Sequence, residues 1–493
     1  MSDPLALLPL ALAAGGGRLG SAVGAPADFE AQQLVAAGLT LLRRSAPLVR
    51  ALSGKRSALL LRTTPAFITA LAASDGRGAV LINPLAAPAE IAFQCRDANV
   101  GAIFTTTSFV PRLPAGIAVV LLDDAPRSAS VLVDGRVQLV DLGSHHGLSI
   151  AGHIGVEGRD EEAVIVYTSA MRGTPLGAVL THRNLLANAQ STVEAMALSP
   201  NVHVLALLPF AHLFGLTATC SAPLLAGGRV TTMDRFHPVR AAELLANGVT
   251  DVFGVPAVFH SLLAAIERRG VTVASGSLRL CVSGGAVLPR ELQDRWADVT
   301  GVELREGYGL TEAGPICLFN RADLPNVRGT LGLHLPGVDV GIFPPADHAH
   351  DGASQDAPRA PVADGARGEI CVRGVSVSPG YLGGTQGLPH HGAWLCTGDE
   401  GVRDAEGRVT FLGLLKRMFT RNGFNIYPGE IERVVGALPG VTHVRASAIP
   451  DPLKENDILL HVAGAVSERE VRRWCEQHLS AYKQPSVVRI GDE

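Results

Sequence analysis

A glycine-bearing stretch, YTSAMRGTPLGAVLTH from Tyr167 to His182, has the composition of a loop that binds phosphate. It follows the apolar run EEAVIV and precedes the helix-like run RNLLANAQSTVEAMAL, which predicts the order strand, loop, helix. In such loops backbone N–H groups, hydroxyl side chains and a lysine surround the phosphates of a nucleotide. This stretch contains no lysine. It is therefore either a nucleotide site or the remains of one.

The elements that would position this loop alternate between two patterns from about residue 55 to 340. Runs rich in valine, isoleucine and leucine, such as GAVLIN, GAIFTT and LRLCVSGG, are typical of buried strands in parallel sheets. Helical patterns such as FITALAAS and AVFHSLLAAIERRG lie between them. We therefore predict an α/β fold of layered sheets with flanking helices, in which ligands favour the carboxyl ends of strands.

The composition of the chain changes after Pro344. The segment FPPADHAHDGASQDAPRAPVADGARG predicts an exposed loop, and short β-like pieces follow it. From about residue 417 the helical patterns IERVVGAL and EREVRRWCEQHL and the strand-like run ILLHVAG predict a small α+β unit. We expect an N-terminal domain over residues 1–416 and a shortened, mobile C-terminal domain over residues 417–493.

Composition and charge exclude several classes of protein. The chain has 493 residues, 47% of them hydrophobic, and a net charge of −4, which gives no reason to expect a nucleic acid partner. Seven scattered cysteines without a CxxC motif indicate a reducing, cytoplasmic compartment. The start, MSDPLALLPLALAAGGG, lacks the basic region of an export signal and favours a buried helix. We expect no transmembrane segment, because no apolar run approaches the roughly 20 residues that a bilayer requires.

Several segments, in a fixed order, resemble adenylate-forming enzymes: acyl-CoA synthetases, aryl-CoA ligases, luciferases and the adenylation domains of peptide synthetases. Their phosphate loop reads approximately Y-T-S-G-T-T-G-x-P-K-G, and this chain has Y-T-S-A-M-R-G-T-P-L-G followed by THRNLLAN. The further matches, which with the loop extend over most of the chain, are LPFAHLFGL (208–216), TDVFGVP (250–256), VSGGAVLP (282–289), EGYGLTEAGP (306–315), CTGDEG (396–401) and RNGFNIYPGEIE (421–432).

The resemblance implies a set of site residues, and each has a physical role. Tyr308 is suited to stack on adenine, Glu312 to hold Mg²⁺ through carboxylate oxygen, and Asp399 to accept both ribose hydroxyls. The catalytic residues implied are Thr168, Ser169, Arg172, Thr311 and Glu312. Those implied for ATP or AMP are Gly173, Gly177, Gly285, Gly307, Tyr308, Gly309 and Asp399, of which Gly307 and Gly309 would permit close approach of the backbone. The acyl pocket implied contains His212, Phe214 and Gly284.

The chain departs from the family at positions that serve ATP. Ala170 replaces a glycine, Met171 and Arg172 replace hydroxyl residues, and Leu176 replaces the lysine of the loop. Arg172 is either a compensating cation or a solvated loop residue. In GLLKR, Leu414 replaces an arginine that helps to bind the nucleotide's ribose.

Two further departures concern the C-terminal domain. Arg417 stands where the family has an acidic hinge residue, and Lys416 before it is kept. The family continues to a Gly-Lys motif beyond Glu493, and Lys483 aligns with an earlier lysine. Loss of two lysines, at roughly 1.5 to 3 kcal/mol each, corresponds to a 10²- to 10⁴-fold slower adenylation.

These observations leave three interpretations open. The first is an ATP-dependent acid–thiol ligase that forms an acyl-adenylate and transfers the acyl group to CoA or to an acyl carrier protein thiol. The second is a non-adenylating homologue that binds AMP or an acyl-adenylate, as a thiol-transfer half-enzyme or a regulatory pseudoenzyme. The third is a truncated complete enzyme, which does not account for Leu176 or Leu414.

Overall fold

The computed structural model describes residues 8–22, 28–74, 78–143, 160–168, 174–273, 277–346, 360–384 and 387–491. The helices within these residues are, in chain order, α1 (Leu8–Ala14), α2 (Ala31–Arg44), α3 (Ala46–Leu52), α4 (Ala66–Ala73), α5 (Pro88–Asp97), α6 (His182–Ala195), α7 (Leu213–Leu216), α8 (Ala222–Leu225), α9 (Pro238–Leu245), α10 (Pro256–Arg269), α11 (Arg290–Thr300), α12 (Pro428–Gly436) and α13 (Glu468–His478). None of the helices in this described part has the length and hydropathy needed to cross a membrane.

The strands are numbered in the same way. The first ten are β1 (Arg18–Ser21), β2 (Phe29–Glu30), β3 (Arg56–Leu60), β4 (Ala79–Leu81), β5 (Val100–Thr105), β6 (Ala118–Leu122), β7 (Ser128–Val133), β8 (Arg136–Asp141), β9 (Glu162–Thr168) and β10 (Leu176–Thr181). The next seven are β11 (His203–Ala206), β12 (Arg229–Thr232), β13 (Asp251–Gly254), β14 (Leu280–Ser283), β15 (Leu304–Gly309), β16 (Ile316–Phe319) and β17 (Leu333–His334). The remainder are β18 (Val338–Phe343), β19 (Arg367–Gly374), β20 (Gly380–Tyr381), β21 (His390–His391), β22 (Trp394–Arg403), β23 (Val409–Leu414), β24 (Phe419–Arg421), β25 (Phe424–Ile426), β26 (Val441–Asp451), β27 (Glu455–Gly464) and β28 (Val487–Ile490).

Two large sheets, each of nine strands among the described residues, form the body of the molecule. The first has the order β17-β16-β15-β14-β13-β11-β12-β1-β2, and the second has the order β20-β10-β9-β4-β3-β5-β6-β7-β8. Their central strands are parallel and their outer strands antiparallel. The predicted runs of valine, isoleucine and leucine are these central strands, and their side chains are buried on both faces.

Alternating side chains divide the interior into three layers. In β3, Leu59 belongs to the core shared by the two sheets, whereas Ala58 and Leu60 belong to an outer core with α5. In β11, Val204 lies in the shared core and Leu205 in the outer core of α9, α10 and α11. The molecule thus alternates helices and sheets, which confirms the predicted α/β class of layered sheets with flanking helices.

A third sheet, β18-β19-β22-β21 with β23 paired to β22, leads to a small α+β unit. There β26, β27 and β28 form a sheet whose core includes residues of α12 and α13. Ser467 and Glu470 form a reciprocal capping box at the start of α13, which explains where that helix begins. The predicted small α+β unit at the C-terminus is confirmed.

The predicted strand before the stretch and the predicted helix after it are both present, but a further strand lies within the stretch Tyr167–His182. Residues 176–181 form β10, which pairs antiparallel with β9 as a hairpin, and α6 begins at His182, as the helical pattern predicted. Extension of the sheet buries most of the apolar sequence LGAVLT between β9 and β20. Thr181 and Asn184 then cap the helix reciprocally.

Candidate active site

The side chains of Tyr308 and Asp399 meet where two sheets come together. Tyr308 lies near the end of β15, and Asp399 lies in β22 of the third sheet. The Tyr308 hydroxyl donates a hydrogen bond of 2.6 Å to Asp399 Oδ2. Burial and the Asp399 carboxylate raise the pKa of the Tyr308 phenol well above its usual value, so the phenol keeps its proton and remains a donor.

Lys416 completes a buried charge cluster with Asp399. Its Nζ lies 3.2 Å from Asp399 Oδ1 and donates to the Thr397 carbonyl at 2.7 Å. Burial lowers the pKa of Lys416, but the nearby Asp399 carboxylate outweighs this effect and raises it overall. The ammonium is therefore charged at neutral pH, beside the carboxylate predicted to bind ribose.

Glu312 lies at the start of the turn after β15 and is the centre of a second cluster. Its Oε1 accepts hydrogen bonds from the Thr168 hydroxyl at 3.2 Å and the Tyr381 hydroxyl at 2.8 Å. Thr311, beside it, is half-buried. The predicted pair Thr168 and Glu312 is thus brought together from segments 144 residues apart.

The donor set around Glu312 fits a hard cation. Glu312 is 8% exposed, and the hydroxyl oxygens of Thr168 and Tyr381 contact its Oε1. Mg²⁺ prefers such oxygen ligands and retains several waters. Glu312, with Thr168 beside it, is therefore suited to hold Mg²⁺.

The two apolar replacements stand directly beside these clusters. Leu176 is the register partner of Thr168 in the hairpin of β9 and β10. Leu414 is the register partner of Asp399 between β22 and β23, and it is 38% exposed. Positions 176 and 414, where the family resemblance implies cations, therefore lie beside Thr168 and Asp399, and both carry leucine.

The predicted acyl-pocket residues are also close together. His212 caps α7 through its Nδ1, which accepts from the Phe214 backbone N–H at 3.3 Å. A Cβ on Gly284 would lie 3.4 Å from the Phe214 ring and 3.1 Å from the Gly307 carbonyl, so a larger residue there would crowd this space. The residue His212 is exposed overall, while desolvation by the surrounding protein lowers the pKa of its imidazole. The ring is therefore neutral, with its proton on Nε2.

The predicted glycines differ in how much space surrounds their Cβ positions. Gly309 is required by the protein itself, because a Cβ there would lie 1.8 Å from the Pro315 carbonyl oxygen. Gly309 is thus needed for the close approach of the Pro315 backbone, and its predicted role in ligand approach remains a prediction. Gly307 has only ordinary contacts at its Cβ position, and Gly285 is exposed with φ +80°. Gly177 is buried opposite Tyr167 in the hairpin.

Three predicted residues, Ser169, Arg172 and Gly173, lie outside the described residues. The predicted role of Arg172 as a compensating cation therefore remains a prediction.

The C-terminal unit contacts the same region. Gly423, in the turn between β24 and β25, lies so close to Val255 that a Cβ would come within 2.2 Å of that side chain. Its carbonyl oxygen lies 3.6 Å from the Cβ position of Gly285. Lys483 donates to Glu90 Oε1 at 2.9 Å and to Glu430 Oε1 at 2.6 Å, which connects the small unit to α5.

Sequence reasoning missed two tyrosines of the site. Tyr381 contacts Glu312, and it reaches the site because β20 pairs with β10. Tyr427, just before α12, is 9% exposed. Burial raises the pKa of its phenol. The Lys416 ammonium lowers this pKa, and the Glu312 carboxylate raises it further. No local spacing in the sequence points to either residue, since the partners are distant in the chain.

Comparisons with known proteins identify relatives of this chain. Residues 48–382 match the family model described as AMP-binding enzyme. A long-chain-fatty-acid–CoA ligase of Escherichia coli O157:H7 is 30% identical over 479 residues, which cover 89% of this chain and 82% of that protein. A feruloyl-CoA synthase of Amycolatopsis sp. is 29% identical over 420 residues, 82% of each chain.

Solved structures show the same architecture. A malonyl-CoA ligase in a ternary product complex with methylmalonyl-CoA and AMP has a TM-score of 0.79 and 26% identity, covering 98% of this chain and 99% of that chain. ATP-bound MatB from Rhodopseudomonas palustris has a TM-score of 0.70 and 26% identity, covering 99% of this chain and 95% of that chain.

The layered α/β fold, with a tyrosine, two carboxylates and a lysine converging between its sheets, defines a class of nucleotide-binding proteins. Within that class, the chain belongs to the family of AMP-binding enzymes.

Proposed function

We propose that this protein is an ATP-dependent acid–thiol ligase, which activates a carboxylic acid as an acyl-adenylate and transfers the acyl group to a thiol. The observation that carries this proposal is the meeting of Tyr308 with Asp399, beside Lys416. A carboxylate held between a phenol and an ammonium is a preorganised acceptor for ribose hydroxyls.

The first half-reaction joins the acid to AMP. A carboxylate oxygen of the acid attacks the α-phosphorus of ATP, and the bond to the bridging oxygen of pyrophosphate breaks. Thr168 and Thr311 offer hydroxyl donors for phosphate oxygens, and Tyr308 offers its ring to adenine. Mg²⁺, held by Glu312, would neutralise charge on the phosphates when bound.

The second half-reaction transfers the acyl group. The sulfur of the thiol attacks the acyl carbonyl carbon, the bond to AMP breaks, and the thiol proton passes to water. The neutral His212 offers its Nε2–H to the carboxyl group in the pocket with Phe214 and Gly284. We propose CoA as the thiol, because the relatives above are named as CoA ligases or synthases, and an acyl carrier protein as the alternative acceptor.

A pyrophosphate-release assay across fatty and aromatic acids tests the proposal. We expect release that depends on acid and ATP and that falls at least tenfold in D399A, because the ribose acceptor is lost. D339N, which alters an exposed ion pair with Arg373, serves as the control. Release at background with every acid would reject the ligase.

A second function is favoured by Leu176 beside Thr168 and Leu414 beside Asp399. Because Leu176 provides no cation for the distal phosphates, the site suits AMP or an acyl-adenylate better than the triphosphate, so the protein would perform thiol transfer alone or regulate a partner. Its test supplies a synthetic acyl-AMP with CoA and measures the thioester. Thioester formation without pyrophosphate release from ATP supports this function, and turnover of ATP excludes it.

We further propose that the domain boundary follows Lys416 and that the unit of residues 417–493 is mobile. Two adjacent residues support this boundary, because one forms an ion pair with the N-terminal domain and the next forms an ion pair with the small unit. Lys416 pairs with Asp399, whereas Arg417 pairs with Glu432 of α12 at 2.7 Å. A rotation about the 416–417 linkage would preserve both pairs.

A further inference from the structure

Asp399 lies in a bulge of β22, which sets the direction of its side chain. The register pairs Glu369 of β19 with Glu400, and Cys371 with Cys396. Between these pairs β19 has one residue, 370, while β22 has three, 397–399. Such bulges redirect a side chain, and they are frequent beside active sites.

A buried carboxylate holds this bulge. Glu369 Oε1 accepts the Gly398 backbone N–H at 2.7 Å, and Glu369 Oε2 accepts the Ala346 backbone N–H at 2.7 Å. The side chain is fully buried. Hydrogen bonds to an ionised acceptor are the stronger kind, so Glu369 ties the centre of the bulge to the end of β18.

The rest of the bulge is fixed from both sides. The Thr397 hydroxyl donates to the Ile370 carbonyl at 2.8 Å and accepts the Asp399 backbone N–H at 3.2 Å. The Leu415 backbone N–H donates to the Gly398 carbonyl at 2.9 Å. The backbone N–H of Gly398 is therefore hydrogen-bonded to Glu369, and its carbonyl is hydrogen-bonded to Leu415.

We propose that Glu369 is a positioning residue for Asp399: its carboxylate holds the 397–399 bulge in the shape that presents Asp399 to the nucleotide. This inference rests on the proposed binding of AMP at Asp399. A carboxylate is required because it accepts at both ends, whereas the amide of a glutamine accepts at one end only. Glu369 itself acts through the backbone of Gly398.

A double-mutant cycle tests the proposal. AMP affinity is measured by calorimetry for the full chain, E369Q, D399A and E369Q/D399A, with D339N as the control on the same sheet. We expect E369Q to weaken AMP about tenfold, the effect of one lost charge-assisted hydrogen bond, in the otherwise native protein. In the D399A background we expect no further loss. Equal losses in both backgrounds indicate a merely structural role and overturn the proposal.

Hydrogen exchange of the 396–400 backbone keeps the test independent of ligand binding. E369L, which removes both acceptors, is expected to speed exchange at Gly398 at least tenfold, and D339N is not. Unchanged exchange in E369L overturns the positioning role, and E369Q replaces E369L in this measurement if E369L does not fold. If the native protein binds no AMP, the proposed function fails, while the exchange result still decides whether Glu369 holds the bulge.

Discussion

Lys483 and Glu90 are 393 residues apart in the chain, yet Lys483 Nζ lies 2.9 Å from Glu90 Oε1. Both side chains are almost fully buried, and Ser480 also donates to Glu90. Burial lowers the pKa of Lys483, but Tyr482 and the carboxylates of Glu430 and Glu90 raise it overall, so the ammonium is charged. This contact connects the small unit to the helix α5.

Because the contact is buried and charged, we expect E90Q to loosen the small unit. The free energy of unfolding should fall by about 1 to 3 kcal/mol, since one buried charged acceptor is lost. Limited proteolysis should also cut sooner near residues 414–418. E243Q, on the exposed face of α9, is the matched control and should behave as the native protein. Native resistance to protease in E90Q would contradict this role of the contact.

Leu176→Lys restores a cation beside Thr168. We expect ATP to bind about 10- to 100-fold more tightly, the effect of one charge-assisted hydrogen bond, while AMP affinity stays unchanged. The reason is that a cation at position 176 would act on the distal phosphates, which AMP lacks. Calorimetry with both nucleotides measures this, with L139K on the exposed face of β8 as the control. An equal gain for AMP would show that position 176 does not face the distal phosphates.

Tyr381→Phe removes one of the two donors to Glu312 Oε1. We expect the Mg²⁺ concentration for half-maximal pyrophosphate release to rise about 10-fold, the usual effect of losing a partner that orients a metal ligand. D339N, which alters an exposed ion pair on the third sheet, is the control. An unchanged Mg²⁺ requirement would assign Tyr381 to the fold alone.

Glu306 gives a pH dependence with a defined sign. Burial raises its pKa from 4.5 to about 7, so the folded state retains a proton that the unfolded state releases. Stability attributable to Glu306 is therefore complete below about pH 4.5 and falls, by about 3 kcal/mol in total, as the pH rises to about 7. Urea unfolding of the native protein and E306Q across this range should show E306Q losing less stability. E291Q, on the exposed face of α11, should retain the native slope.

Sequence patterns predicted the family and the α/β layers because these depend on long apolar runs and ordered motifs. They also predicted that Tyr308, Glu312 and Asp399 belong to one site, and the contact of Tyr308 with Asp399 agrees with this. The second strand of the hairpin was not predicted, because the local sequence of the stretch does not reveal that its end pairs with β9. Tyr381 was not predicted either, since its place depends on the pairing of β20 with β10.

In the hairpin of β9 and β10, the strand pairing depends on the backbone, whereas the charge of the cleft depends on the side chain at position 176. Leu176 holds its place through the backbone ladder with Thr168, so the strand forms whether leucine or lysine stands there. A lysine at position 176 would therefore change the charge of this cleft while the backbone pairing of β9 with β10 is retained.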